Sequence, residues 1–235
     1  MNFNEQNYIR QLSIDCVIFG YQEKELKVLV PKINMEGEVF TLPGGFIQQN
    51  EGIDHAALRI LKERTGIQTI YLDQFRTFGQ EERYNVEVLN ALSKASKILI
   101  DIVNLEWFAK RFVSIGYYAL VDINKVQIQT GEIDESVSWY NVKDLPKMIM
   151  DHNEMVTYAL EALRQNLDQK LIGFNLLPET FTIREVQELY EAIYDKPFAR
   201  NNFQKKILDL AVLERLEKKF TGAANKAPYL YKFKN

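Results

Sequence analysis

The sequence predicts an α/β sandwich over residues 1–172 followed by a small winged helix-turn-helix over residues 173–235. Three observations carry that reading. Strand-like runs alternate with a helical stretch through the first 140 or so residues. A different grammar of helix, turn, helix and hairpin begins near residue 179. Charge divides along the same line: residues 176–235 hold 11 Lys and Arg against 8 Asp and Glu, and the remainder holds 18 against 24. An acidic larger part joined to a mildly basic tail points to two units with different partners.

Ser13 to Phe19 alternates as a strand, with Ile14, Cys16 and Ile18 on one face and Asp15, Val17 and Phe19 on the other. Glu25 to Val30 is a second strand, joined to the first through a turn at Gly20 to Glu23. A carboxylate inside an apolar strand needs a partner, so Asp15 either bonds to backbone or water near a strand end or points into a ligand pocket. Phe40-Thr41-Leu42 is a third short strand. Pro43-Gly44-Gly45 then signals a turn, and Asp54 to Thr65 carries apolar residues at 57, 58, 60 and 61, which is helical spacing. Asp54 is placed to cap that helix, and Gly66 to end it in a left-handed conformation.

The stretch from Gly44 to Ile67 resembles the Nudix box, G-x5-E-x7-R-E-U-x-E-E-x-G-U with U apolar. Gly45, Glu51, Arg59, Leu61, Glu63, Gly66 and Ile67 match it in register, and Leu42-Pro-Gly-Gly45 stands where that family has it. Two positions depart: Ile60 and Arg64 stand where the family has glutamate. In active members those glutamates and the one at 63 hold Mg2+, which demands oxygen ligands in near-octahedral geometry. Ile60 offers none, and Arg64 brings a positive charge to the place of the cation. The resemblance therefore implies a box kept as a scaffold, with Glu51, Arg59 and Glu63 as an ion-pair network, no catalytic residues, no metal and no cofactor.

Beyond the box, Ile70 to Arg76 reads as a strand and Thr77 to Arg83 as a polar loop. Residues 84–110 look like an insertion with a helix at about 85–97, packed over the sandwich, against a second subunit, or as a ligand lid. Phe112 to Val121 and Glu135 to Tyr140 are further strands, rich in β-branched and aromatic residues. A long helix is expected from Asp144 to about Leu167, with His152 near its start as a capping, packing or catalytic residue.

Several classes are set aside. No apolar run approaches the ~18 residues of a membrane span, the start Met-Asn-Phe-Asn-Glu-Gln has no signal-peptide character, and the single Cys16 fits a reducing cytoplasm. Two histidines, His55 and His152, and one cysteine make no zinc constellation and no nucleophile–base pair.

In the second unit, Thr182-Ile-Arg-Glu185 is a capping box opening a helix to about 194, with Val186, Leu189, Tyr190 and Ile193 as its apolar face. After the Asp195-Lys-Pro197 turn, a helix at about 199–210 buries Phe203, Ile207 and Leu210 and exposes Arg200, Asn201, Gln204 and Lys205. Strands at Leu213 to Phe220 and Tyr229 to Phe233 flank a loop, forming a wing with Lys218, Lys219 and Lys226. Arg, Asn, Gln and Lys read base edges or hold phosphates, so this helix and wing are the candidate double-stranded DNA surface.

Joined, the halves resemble Nudix-related transcriptional regulators, with a degenerate Nudix α/β/α sandwich and a C-terminal winged helix. The segments Leu-Leu-Pro-Glu-Thr-Phe-Thr182, Arg200-Asn-Asn-Phe-Gln-Lys-Lys-Ile-Leu and Leu-Tyr-Lys-Phe233 carry that likeness. The resemblance implies a homodimer that binds operator DNA and responds to a small metabolite. It is most similar to the arabinose-responsive regulators of Bacteroidetes, so a pentose such as L-arabinose is the expected effector. ADP-ribose, in a regulator of NAD metabolism, is the alternative. An active Nudix hydrolase and a winged helix that contacts protein are the rival classes. Asp15, Glu51, Arg59, Glu63 and Arg83 are the candidate effector contacts, with the Phe78 to Arg83 loop closing over them.

Overall fold

A computed structural model describes residues 4–34, 38–66, 71–81, 83, 107, 110–131, 134–167, 176–219 and 227–234. Its centre is a seven-stranded mixed sheet. The strands are β1 (Tyr8–Gln22), β2 (Glu25–Ile33), β3 (Val39–Phe40), β4 (Gly44–Gln48), β5 (Tyr71–Phe78), β6 (Val113–Val121) and β7 (Asp134–Asn141). The path runs β3-β2-β1-β6-β5, with β4 paired to β1 and β7 paired to β2. β1 and β6 are parallel neighbours, in register from Leu12 opposite Val113 to Gly20 opposite Val121. β1 from Ser13 to Gly20 and β6 from Ser114 to Val121 are buried on both faces, which is why those stretches are mostly apolar.

Helices cover both faces. On one, α1 (Ile53–Thr65) packs Ala56, Ala57, Ile60 and Leu61 against Ile14, Cys16 and Ile18 of β1. On the other, α2 (His152–Asn166) packs Met155, Val156, Ala159 and Leu163 with Val17, Phe19, Tyr118 and Leu120. The alternation read from β1 therefore sorts the α/β/α layers correctly.

The C-terminal unit is α3 (Ile183–Tyr194), α4 (Arg200–Asp209), β8 (Leu213–Lys218) and β9 (Tyr229–Phe233). The capping box is present as expected: Thr182 Oγ1 accepts from Glu185 N–H at 3.2 Å, and Glu185 Oε2 accepts from Thr182 N–H at 2.6 Å. Phe181 and Tyr231 exchange backbone hydrogen bonds of 3.0 and 2.7 Å, which ties the hairpin to the start of α3. Val186, Leu189, Tyr190, Ile193, Phe203 and Ile207 belong to the same apolar cluster as α2 and its face of the sheet. Polar contacts reinforce the joint. Arg164 Nε donates to the Ile193 carbonyl at 2.8 Å, Tyr194 Oη donates to the Arg164 carbonyl at 2.9 Å, and Lys24 pairs with Glu188 at 3.0 Å. Tyr21 lies at this joint, and burial beside Glu188, Glu185 and Glu191 pushes its phenol up to about 12.

Four local expectations are corrected. The β1–β2 turn is Glu23-Lys24, both with positive φ, in place of Gly20 to Glu23, so β1 continues through Gln22. Gly44 to Gln48 is strand β4 rather than loop. Gly52, not Asp54, is the N-cap of α1; Asp54 accepts instead from Tyr117 Oη at 2.5 Å. Gly66 does end α1 in the left-handed region, at φ 71°. The last helix begins at His152 and not at Asp144, because Met148 bridges to Phe40, Ile149 N–H donates to the Phe40 carbonyl, and Met150 turns the chain at φ 49°. The helix expected at 85–97 lies outside the described residues. Among the described residues no helix is long and apolar enough to cross a membrane.

Candidate functional site

The five residues expected to form one pocket separate into two groups on opposite faces of the sheet. The pair Gly44-Gly45 shows why. A Cβ on Gly44 would lie 2.5 Å from Asp15 Oδ1 and 2.8 Å from the Ile14 carbonyl oxygen. A Cβ on Gly45 would lie 3.1 Å from Ile60 of α1. The first glycine clears the α2 face for Asp15, and the second lets α1 close on the α1 face.

On the α1 face, Arg59 grips Glu51 bidentately, Nε to Oε2 at 3.0 Å and Nη2 to Oε1 at 2.6 Å. Arg59 Nη2 also donates to the Phe46 carbonyl at 2.9 Å, and Glu51 Oε1 accepts from Gln48 N–H at 2.8 Å. The Arg59 hydrogen bond is the main reason the Glu51 carboxyl is held below its usual range. Glu63 is mostly exposed and meets Arg59 Nη1 at 3.4 Å. This is the expected network tying loop to helix. Ile60 is buried beneath Gly45, and Arg64 does not reach the place of a cation: it pairs with the buried Asp134, which also accepts from Gly131 N–H. The oxygen donors that remain are Glu63 and a Glu51 already committed to Arg59, a poor fit to Mg2+. Among the described residues no group of three or more His, Cys, Asp or Glu is placed to hold a metal ion.

On the α2 face, Asp15 finds its partners inside the fold. Arg83 Nη2 and Ser114 Oγ donate to its Oδ2 at 3.1 and 2.5 Å. Arg83 is itself only 2% exposed at its side chain; Nε donates to both oxygens of Asp151, at 3.0 and 3.1 Å, and Nη1 to the Phe112 carbonyl at 3.2 Å. So the loop ending at Arg83 is pinned to the start of α2 and does not close over Glu51, Arg59 and Glu63. His152 is a packing residue: its Nδ1 accepts from Leu42 N–H at 3.0 Å, which leaves the proton on Nε2, 3.8 Å from Asp15 Oδ1. Burial holds its pKa below the ordinary histidine value, so the ring is neutral at neutral pH. Beside this network a cleft of about 220 Å³ opens between β5 and the start of α2, lined among others by Arg76, Gln80, Arg83, Asp151 and Glu154.

In the C-terminal unit, Phe203 and Ile207 fix α4 against the core, and Arg200, Asn201, Gln204 and Lys205 stand exposed on its other side. Lys218 is exposed on the wing with its ammonium 5.4 Å from the Tyr229 ring. Lys219 is engaged, pairing with Glu185 at 3.0 Å, and Lys226 lies outside the described residues. Arg215, exposed on β8, lies with its guanidinium 4.3 Å from the Tyr229 ring centroid on the same hairpin.

The layered sheet with a degenerate box, joined to a helix-turn-helix and wing, defines a ligand-domain and DNA-reader architecture. Residues 9–159 match the model of the NUDIX domain, and residues 173–233 match that of the NrtR DNA-binding winged helix domain. The chain belongs to the NUDIX family and carries an NrtR-type winged helix at its C-terminus. It is 24% identical over 233 residues to the ADPR responsive transcriptional repressor NtrR of Acinetobacter baylyi, covering 94% of this chain and 81% of that protein. It is similar to the crystal structure of Shewanella oneidensis NrtR complexed with a 27mer DNA, at TM-score 0.73 and 25% identity over 96% of this chain and 94% of that one. A MutT/nudix family protein from Enterococcus faecalis shares the fold at TM-score 0.70 and 18% identity, over 96% and 87% of the two chains.

Proposed function

We propose that this chain is a transcriptional regulator that binds operator DNA through residues 173–235 and is released by ADP-ribose bound in a non-catalytic Nudix domain, residues 1–172. The observation that carries the reading is the exposed Arg200, Asn201, Gln204 and Lys205 face of α4, in a protein similar over its length to a regulator seen on DNA. Lys218 extends that surface, and Lys219 joins it only if it leaves Glu185. A homodimer places one winged helix on each half-site. The A. baylyi relative is named for its response to ADPR, which favours ADP-ribose over L-arabinose. No comparable support stands behind the pentose.

The test is operator binding by fluorescence anisotropy, with ADP-ribose and L-arabinose titrated in parallel. Arg200→Ala or Gln204→Ala should cost roughly 1–3 kcal/mol where the side chain reads a base. Release by arabinose alone would replace the ADP-ribose reading. Wild-type affinity in the Arg200→Ala/Lys205→Ala double variant would remove α4 as the reader.

A further inference from the structure

We propose that the cleft between β5 and the start of α2 is a subsite for a pentose ring, recognised through its vicinal hydroxyls. The proposal rests on the effector-sensing reading above and adds where the sugar portion binds. The cleft lies on the α2 face, away from Glu51 and Glu63, and its volume is about 220 Å³. That is below the ~300–1,000 Å³ of pockets for drug-sized ligands, so it accepts one ring and not a whole nucleotide sugar.

Its chemistry is balanced. Arg76 and Gln80 supply donors, Glu154 supplies an acceptor above the paired Arg83 and Asp151, and Phe78 supplies an apolar edge. A hydroxyl both donates and accepts, so adjacent hydroxyls use a carboxylate and a guanidinium together. A phosphate uses only the donors and meets two carboxylates at close range, which disfavours it here.

Two of these groups are ready for a ligand. The Arg76 guanidinium is held 3.8 Å from the Tyr158 ring centroid and 5.6 Å from that of Phe78. Among the described residues no carboxylate pairs with Arg76, and exposed Glu154 makes no ion pair. Arg83 and Asp151 hold each other and form a fixed floor. The site also has a path to the winged helix. Glu154 sits in the first turn of α2, and Arg164 in its last turn bonds the Ile193 carbonyl of α3. A ring bonded to Glu154 thus acts on the helix that braces the DNA-reading unit.

The test is calorimetric titration of the full-length protein with ADP-ribose, with ADP (which lacks the terminal ribose), and with D-ribose and L-arabinose. Wild type is compared with Arg76→Gln and Glu154→Gln, and thermal melts confirm that the variants fold. Both variants should weaken ADP-ribose binding by about tenfold or more, the scale of one hydrogen bond to a charged group, and leave ADP binding unchanged. Equal ADP-ribose affinity in wild type and variants overturns the subsite and leaves the effector reading standing. An equal loss for ADP and ADP-ribose also overturns it, because the recognised group is then not the terminal ribose. If free pentoses alone bind wild type and the variants lose them, the subsite holds and the ADP-ribose reading falls. If none of these compounds binds, both fall. Against the wild-type protein, D-ribose should compete better than 2-deoxy-D-ribose; equal competition overturns recognition of the diol.

Discussion

Replacing Arg83 with methionine tests the buried network directly. The Arg83 side chain is 2% exposed and donates to Asp15, to both oxygens of Asp151 and to the Phe112 carbonyl. Methionine fills much of the same volume and supplies none of those donors. Asp15 and Asp151, 12% and 18% exposed at their side chains, would be left facing each other without a cation. Removing one partner of a buried ion pair costs about 3–5 kcal/mol, because the remaining charge is desolvated and unmatched. For a protein of this size that corresponds to a melting temperature roughly 6–20 °C lower. Urea unfolding followed by far-UV circular dichroism measures it. The coupling is then isolated by a cycle with Asp15→Asn: the double variant should lose less than the sum of the singles, by about 0.5–3 kcal/mol. A cost for Arg83→Met within about 0.5 kcal/mol, the level of a surface substitution, would refute the network.

Two further outcomes are expected. Glu51 has its pKa lowered chiefly by Arg59, so it stabilises the fold above its unfolded-state value, and that stability is lost as pH falls through the lower folded-state value. Urea titrations of wild type and Arg59→Ala should therefore differ at pH 7 and converge on acidification; a constant difference would sever the link. Hydrolysis of ADP-ribose, NADH or nucleoside triphosphates with Mg2+ or Mn2+ should be absent, since Ile60 and Arg64 leave the box short of oxygen ligands. Ordinary turnover abolished by Glu63→Gln would show that a working metal site exists.

What was legible in the sequence was local. The capping box at Thr182 and Glu185, the left-handed Gly66 and the buried Phe203–Ile207 stripe each depend on residues within one or two turns, and each stands where it was expected. Strand β4 was hidden because Gly44 and Gly45 read as turn formers, whereas both are needed for close packing on opposite faces. The start of α2 was misplaced because the segment before it is held by Phe40, more than 100 positions earlier. The candidate effector residues failed as one constellation for the same reason. Asp15 and Arg83 meet across 68 positions, and nothing local reports which face of the sheet each will take.

The joint between the two units constrains how any ligand signal travels. α3 opens the helix-turn-helix, yet its apolar residues Val186, Leu189 and Ile193 share one cluster with Leu163 of α2 and with Val17 and Phe19 of the sheet. Swinging the winged helix away as a rigid lever would expose those side chains, and burying each is worth about 1.5–3 kcal/mol. It would also break the bonds of Arg164 to Ile193 and of Tyr194 to Arg164. That total exceeds the 1–3 kcal/mol typical of coupling between two ligand sites. A small shift of α2 along its own length would leave most of that surface buried and would act on α3 through the Arg164–Ile193 bond. The helix that has Asp151 and Glu154 at one end and Arg164 at the other therefore ties the sheet to the winged helix.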